Sequence, residues 1–303
     1  MRTTITTGLL ISGLVVSICF RGGAQTVNFT DGTFNDADWG ATKIDDTTSG
    51  QGATYSAAQN LTDGDPGACR EVDFSYSVNG TGGSQGEVVA NVFGPSAYFP
   101  ATQGPIRSLS YSFVLIVNSE PYNGPGLLFG LVVLQDGKFF LHLSTNNSLA
   151  GGYRNWNPWA ETNLQSTNFQ QIGTDTYPGP ITFQSIFPDF SSSGSRIQFG
   201  YFLVSAGGIG SPADEAFVVA IDNFSTTLFV LPRPVFTDTS ASGGVFSSTL
   251  TNVVPGETII VAASTNLVDW VPIQTNAVTG ATLLFTNNIN SAIPAQFFRA
   301  VGN

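Results

Sequence analysis

The stretch Gly152-Tyr153-Arg154-Asn155-Trp156-Asn157-Pro158-Trp159, with Glu161 close behind, sets three flat aromatic rings beside a cation, amides and a carboxylate. That combination can hold a sugar. Aromatic faces accept the C–H surface of a pyranose ring, and Arg, Asn and Glu side chains offer directional partners to its hydroxyls. On this reading Tyr153, Trp156 and Trp159 stack while Arg154 and Glu161 hydrogen-bond. The competing reading is that Trp156 and Trp159 pack under their own loop as a satellite core.

Other residue types narrow the chemistry. His142 is the single histidine, so neither a zinc site nor a Ser-His-Asp triad assembles in the usual way. Acidic residues approach one another at Asp45-Asp46, Asp63/Asp65, Glu71/Asp73 and Asp214-Glu215, mostly among turn-forming residues, and no pair stands out as a glycosidase dyad. No catalytic residue is assigned. The glycine-rich runs Asn79–Ser84 and Ser205–Gly210 lack the lysine and the following helix of a phosphate cradle, and read as loops between strands.

The elements that must position these residues are exported ones. Residues 1–24 combine Arg2, an apolar run from Gly8 to Phe20 and small residues at Gly22 and Ala24, the pattern of a secretory signal peptide cleaved after Ala24. The run is too short for a membrane span, and Ile18 before Cys19 argues against lipidation. The mature chain is therefore expected outside the cell, soluble and without membrane insertion. Losing Arg2 and Arg21 leaves 8 basic against 21 acidic residues, a net charge of −13, which disfavours nucleic acid and anionic lipid as partners. Cys69 is then the sole cysteine, and apolar burial must hold the fold.

Helical periodicity is nearly absent, and alternation takes its place. In Arg107–Val117, Leu109, Tyr111, Phe113, Leu115 and Val117 fall on one face and Ser108, Ser110 and Ser112 on the other, which predicts a half-buried strand. Asp136-Gly137 between two apolar runs predicts a hairpin with a type I′ turn. Ile197, Phe199, Tyr201 and Leu203 alternate in a further strand, and another is predicted from Ala216 to Leu231. Two prolines in Leu231-Pro232-Arg233-Pro234 interrupt the pattern and mark a domain boundary. Beyond it, strands are predicted at Gly244–Val253, Glu257–Ala263, Trp270–Gln274, Thr282–Phe285 and Gln296–Val301, with Trp270, Phe285, Phe297 and Phe298 in the core.

The apolar strand Ile259-Ile260-Val261-Ala262-Ala263-Ser264, the run Ser264-Thr265-Asn266-Leu267-Val268-Asp269-Trp270 and the closing Ala295-Gln296-Phe297-Phe298-Arg299-Ala300 resemble a module that ends many secreted proteins of Verrucomicrobia and related bacteria. That resemblance implies a fibronectin-III-like sandwich over the last quarter of the chain. The physical reading agrees, with a capped turn at Ser264–Asn266, Trp270 as a plug and Arg299 free to pair with a carboxylate.

Residues 27–228 resemble the jelly-roll domains of secreted bacterial proteins, similar in shape to laminin-G-like and carbohydrate-binding modules, through segments such as Val27–Trp39, Gly64–Val72, Ala97–Phe113 and Val218–Leu228. In carbohydrate-binding jelly rolls the first and last strands lie side by side and an Asp of the last helps hold a structural calcium. Here the resemblance implies Asp222 and Asp31 as ligands. Capping of backbone N–H groups by Asp222 is the plainer alternative.

The expectation is a secreted all-β protein: a signal peptide (1–24), a jelly-roll β-sandwich (25–231) and a smaller fibronectin-III-like β-sandwich (232–303). Its expected role is non-enzymatic, binding extracellular polysaccharide or a cell-surface component, or serving in adhesion. A carbohydrate-active enzyme on the same fold and a purely structural extracellular protein are the alternatives.

Overall fold

Apolar residues at every second position, punctuated by Gly, Pro, Asn and Asp, can bury one face only by pairing into sheets. The computed structural model, which describes residues 25–46, 54–76, 85–119, 126–144, 154–173, 182–207 and 215–302, is built almost wholly of such strands. The chain divides into two compact units, one spanning Thr26–Phe229 and the other containing Val230–Asn303. Residues 1–24, expected to form a signal peptide, lie outside the described residues, as do 79–84 and 208–210 of the two glycine-rich runs.

In the first unit the strands are β1 (Gln25–Asp31), β2 (Trp39–Asp46), β3 (Thr54–Gly64), β4 (Gly67–Tyr76), β5 (Gln85–Tyr98), β6 (Ile106–Ser119), β7 (Gly126–Gln135), β8 (Lys138–Leu143), β9 (Asn157–Leu164), β10 (Gln170–Ile172), β11 (Phe183–Gln184), β12 (Ile197–Gly207) and β13 (Glu215–Val230). They form a six-stranded sheet, β3-β4-β13-β6-β9 with β1 also on β13, and a seven-stranded sheet, β11-β10-β8-β7-β12-β5-β2. The all-β sandwich expected from the alternation is therefore present. The first and last strands of the unit are paired, as the jelly-roll resemblance implies.

The alternating residues of β6 point between the sheets, Leu109, Tyr111, Phe113, Leu115 and Val117 all being buried. They meet Phe129, Tyr201 and their neighbours from the seven-stranded sheet. Trp39 stands at the hub of an aromatic cluster, with Phe34, Phe93, Tyr201 and Phe224 at ring separations of 5.2, 5.0, 5.5 and 5.2 Å. The turn at Asp136-Gly137 has positive φ at both residues, 51° and 72°, the backbone a type I′ hairpin requires.

β12 forms as expected, with Ile197, Phe199, Tyr201 and Leu203 all buried, and it shows more than the alternation did. Its second face is buried too: Phe202 and Val204 join Val88, Ala90, Val92, Val132, Leu141 and Ile172 in a cluster on the other side of the seven-stranded sheet. A strand apolar on both faces reads as a continuous run, which weakens the alternation the eye looks for. Gly200 fits there because a Cβ would collide with the Asn91 carbonyl of β5.

The second unit contains β14 (Val235–Ser242), β15 (Val245–Thr251), β16 (Thr258–Ser264), β17 (Val271–Ala277), β18 (Leu283–Asn288) and β19 (Phe297–Gly302), in two three-stranded sheets, β14-β15-β18 and β17-β16-β19. β14, directly after the prolines, is an element the sequence reading missed. The core holds Phe246, Leu250, Ile259, Val261 and Phe285, with Phe236 and Phe298 against it.

Trp270 is not among these core residues, which corrects the expected plug. Its ring lies under the Arg299 guanidinium, 4.6 Å from ring centroid to Cζ, and its Nε1–H donates to the Leu267 carbonyl at 3.1 Å. Arg299 opposes Ala262 on β16, a position whose side chain points away from the core strand residues Ile259 and Val261, so Trp270 roofs the outer face of its sheet. The expected cap is present: Ser264 Oγ accepts from the N–H groups of Asn266 and Leu267, and Asn266 Oδ1 from those of Val268 and Asp269.

Candidate functional site

Register decides where each candidate residue points, because residues directly opposite in an antiparallel pair share a face. β9 pairs with β6 so that Trp159 opposes Phe113 and Glu161 opposes Tyr111, while Pro158 opposes Val114 and Ala160 opposes Ser112. Phe113 and Tyr111 face the interior, so Trp159 and Glu161 do as well. The Trp159 ring meets Phe129 edge-on at 4.5 Å. Glu161 bridges the sheets: one oxygen accepts from Ser144 Oγ at 2.7 Å and the other meets His142 Nε2 at 2.6 Å, while His142 Nδ1 donates to the Asn168 carbonyl at 3.0 Å. The carboxylate sits between serine and imidazole, so the imidazole cannot activate the hydroxyl and no nucleophile results.

Of the five residues expected to converge on a sugar, the four described ones are thus dispersed. Trp159 and Glu161 turn toward the space between the sheets, both half-buried, and Trp159 also lines the depression on the other side of its strand. Arg154 is exposed on a turn with φ of 62°, its N–H donating to the Val117 carbonyl, and Tyr153 lies outside the described residues. Trp156 alone combines an accessible position with a platform. It packs, half-buried, on Cys69, Ile116 and Ala220, which occupy outward positions of β4, β6 and β13.

That outer face of the six-stranded sheet has the makings of a site. A shallow depression of about 330 Å³ is lined by Ser112, Val114, Pro158, Ala160 and Asn223 among others, at outward positions of β6, β9 and β13. Along β4 the outward residues are Cys69, Glu71 and Asp73, alternating with buried Arg70, Val72 and Phe74. Asn118 on β6 donates to Glu71 across the face at 3.5 Å, and Ser56 on β3 donates to Asp73 at 3.3 Å. Sequence reading noted Glu71/Asp73 only as neighbouring acids and Ser112 only as a polar strand position, and assigned neither these nor Asn118 and Asn223 to a site. The signal was there in the i, i+2 spacing of Glu71 and Asp73 on a strand.

Asp31 and Asp222 do not fit a calcium ion. Asp31 Oδ1 accepts from the Thr33 N–H and hydroxyl, both at 2.7 Å, and Oδ2 from the Phe34 N–H at 3.1 Å and Trp39 Nε1 at 2.6 Å. A carboxylate offers about four lone-pair positions, and these donors fill them. A calcium ion needs six to eight oxygens, and Asp31 has none to give. Asp222 takes the plainer role of a cap: it accepts from the N–H groups of Asp65 at 2.6 Å and Asn223 at 2.5 Å and is 1% exposed. Burial raises its carboxyl above the ordinary range despite those two donors, with Asp65 and Asp31 adding to the rise.

Burial also works against the Asp31 anion, but hydrogen bonds from Trp39, Thr33 and Phe34 outweigh it and hold the carboxyl below its ordinary 3.8. A depressed carboxyl contributes stability that is present above 3.8 and fades as pH falls through the folded value. Asp31→Asn is therefore expected to melt below the wild type at pH 7, with the gap closing as pH falls below about 4. Melting temperatures of the two proteins between pH 3 and 7 check this. A gap that stays constant with pH would refute it.

No family model and no curated protein sequence matches the chain. Among solved structures it is similar to a β-1,2-glucanase from Parabacteroides distasonis, at 11% identity and a TM-score of 0.30, over 87% of this chain and 37% of that one. It is also similar to a carbohydrate-binding module of the β-sandwich superfamily, at 9% identity and a TM-score of 0.33, over 67% of this chain and 74% of the module. A third is the K1 cleaved adhesin domain of Lys-gingipain from Porphyromonas gingivalis W83, at 14% identity and a TM-score of 0.26, over 67% of this chain and 97% of the domain. The chain thus spans little more than a third of the glucanase's length.

Proposed function

We propose that this protein is a secreted, non-enzymatic β-sandwich protein that binds extracellular polysaccharide on the outer face of its six-stranded sheet. The observation that carries the reading is Trp156, whose half-buried ring is held on an apolar base of Cys69, Ile116 and Ala220 on the same face as the depression between Ser112, Ala160 and Asn223. An indole fixed in this way presents a rigid stacking surface at little entropic cost, and the hydroxyl and amides of Ser112, Asn118 and Asn223 supply directional partners. The non-enzymatic part rests on where the acids sit. Asp222, the carboxyl that burial raises, is occupied by the backbone N–H groups of Asp65 and Asn223, and Glu161 is spent on His142 and Ser144.

Affinity electrophoresis through gels containing soluble polysaccharides tests this. The wild type is expected to be retarded by at least one polymer, and Trp156→Ala to lose about tenfold or more in affinity, as truncation of a central tryptophan does. Circular dichroism of the variant confirms that it is folded. Equal retardation of wild type and variant, or no retardation by any polymer, would overturn the reading.

A further inference from the structure

We infer that the Trp156 face selects neutral polysaccharide chains and rejects uronate-bearing ones, with Glu71 and Asp73 as the selecting residues. The inference rests on the sugar-binding reading above and adds the class of ligand to it. Its basis is the charge that strand alternation puts on one face. Glu71 opposes Ala58 and Ala220, and Asp73 opposes Ser56 and Val218, so both carboxylates stand outward on β4, the strand that also contributes Cys69 to the base under Trp156.

The register agrees with the Cys69 thiol, which is pushed up to about 12, first by burial and then by the charges of Glu71, Asp222 and Asp63. Arg154, whose N–H donates to the Val117 carbonyl of β6, is exposed on the turn before β9. Neutral hydroxyls meet the carboxylates as hydrogen-bond partners, whereas a polyuronate brings like charge against them, a repulsion felt at low ionic strength and screened by added salt. Charge of one sign against the same sign sets specificity by exclusion.

The test uses the full chain in gels holding arabinoxylan, galactomannan or hydroxyethyl cellulose as neutral probes and polygalacturonate or alginate as anionic ones, at 20 and 300 mM NaCl. Wild type is expected to be retarded by a neutral polymer and by neither anionic one at 20 mM. The double variant Glu71→Gln, Asp73→Asn is expected to raise the ratio of anionic to neutral retention about fivefold, and 300 mM salt to move wild type in the same direction. A charge-matched control, Asp238→Asn with Asp269→Asn in the second unit, is expected to leave that ratio unchanged, which separates the face from the net charge of −11.

Retardation of wild type by polygalacturonate or alginate at 20 mM overturns the inference. So does an equal ratio in variant and control. If Trp156→Ala abolishes neutral binding while the ratio does not respond to Glu71 and Asp73, selection fails and the sugar reading stands. If no polymer retards wild type, both fail.

Discussion

Trp39→Ala is expected to lower the unfolding free energy of the first unit by about 4 kcal/mol and its melting temperature by roughly 10 °C. The ring is 5% exposed and touches four aromatic partners drawn from both sheets and from the turn after β1. Truncation leaves a cavity those rigid rings cannot close, so the cost exceeds simple loss of buried area. It also strips the Nε1 donor from Asp31, whose carboxylate then keeps three of its four donors. Trp39→Phe separates the two effects: it restores most of the packing without the hydrogen bond, and about 1–2 kcal/mol of loss is expected. Urea unfolding followed by circular dichroism measures both. The core cluster of the second unit contains none of these residues, so its transition serves as an internal reference. A loss below 1 kcal/mol for Trp39→Ala would show that the cluster is not the hub of the sandwich.

The sequence was legible where one physical rule acts alone. β6 alternates because one face is buried, and Asp136-Gly137 turns because both positions need positive φ. It was less legible where two rules compete. Pro158 reads as loop punctuation, yet β9 is the edge strand of its sheet, where a missing N–H donor costs nothing, so the strand runs through it. Once Asn157–Leu164 is a strand, Trp159 and Glu161 share a parity and Trp156 lies outside it. A loop reading groups all three, and period two separates them. The same error hid β14, since prolines that end one strand were taken to silence the next stretch as well. Trp270 was misplaced because size argued for the core, whereas a cation partner and a carbonyl acceptor satisfy it on the outer surface.

Glu161→Ala is expected to destabilise the first unit by about 3 kcal/mol, although Glu161 touches no core aliphatic cluster in doing its work. The change leaves His142 Nε2 and Ser144 Oγ, on residues 7% and 4% exposed, facing a void without their carboxylate partner, and an unmet buried polar atom costs more than the bond itself was worth. Glu161→Gln keeps an acceptor for Ser144 and places an amide donor opposite His142 Nε2, so it should lose about 1 kcal/mol. The paired variant His142→Phe, Glu161→Leu removes both polar partners together and is expected to be more stable than the sum of its single changes by over about 1 kcal/mol, the signature of direct coupling. Retention on polysaccharide separates this bridge from a sugar contact. A residue spent on His142 and Ser144 between the sheets should leave Glu161→Gln bound as tightly as wild type. If that variant instead keeps its stability and loses its polymer, the carboxylate faces the ligand, and the site extends around the edge strand to the interior side of β9.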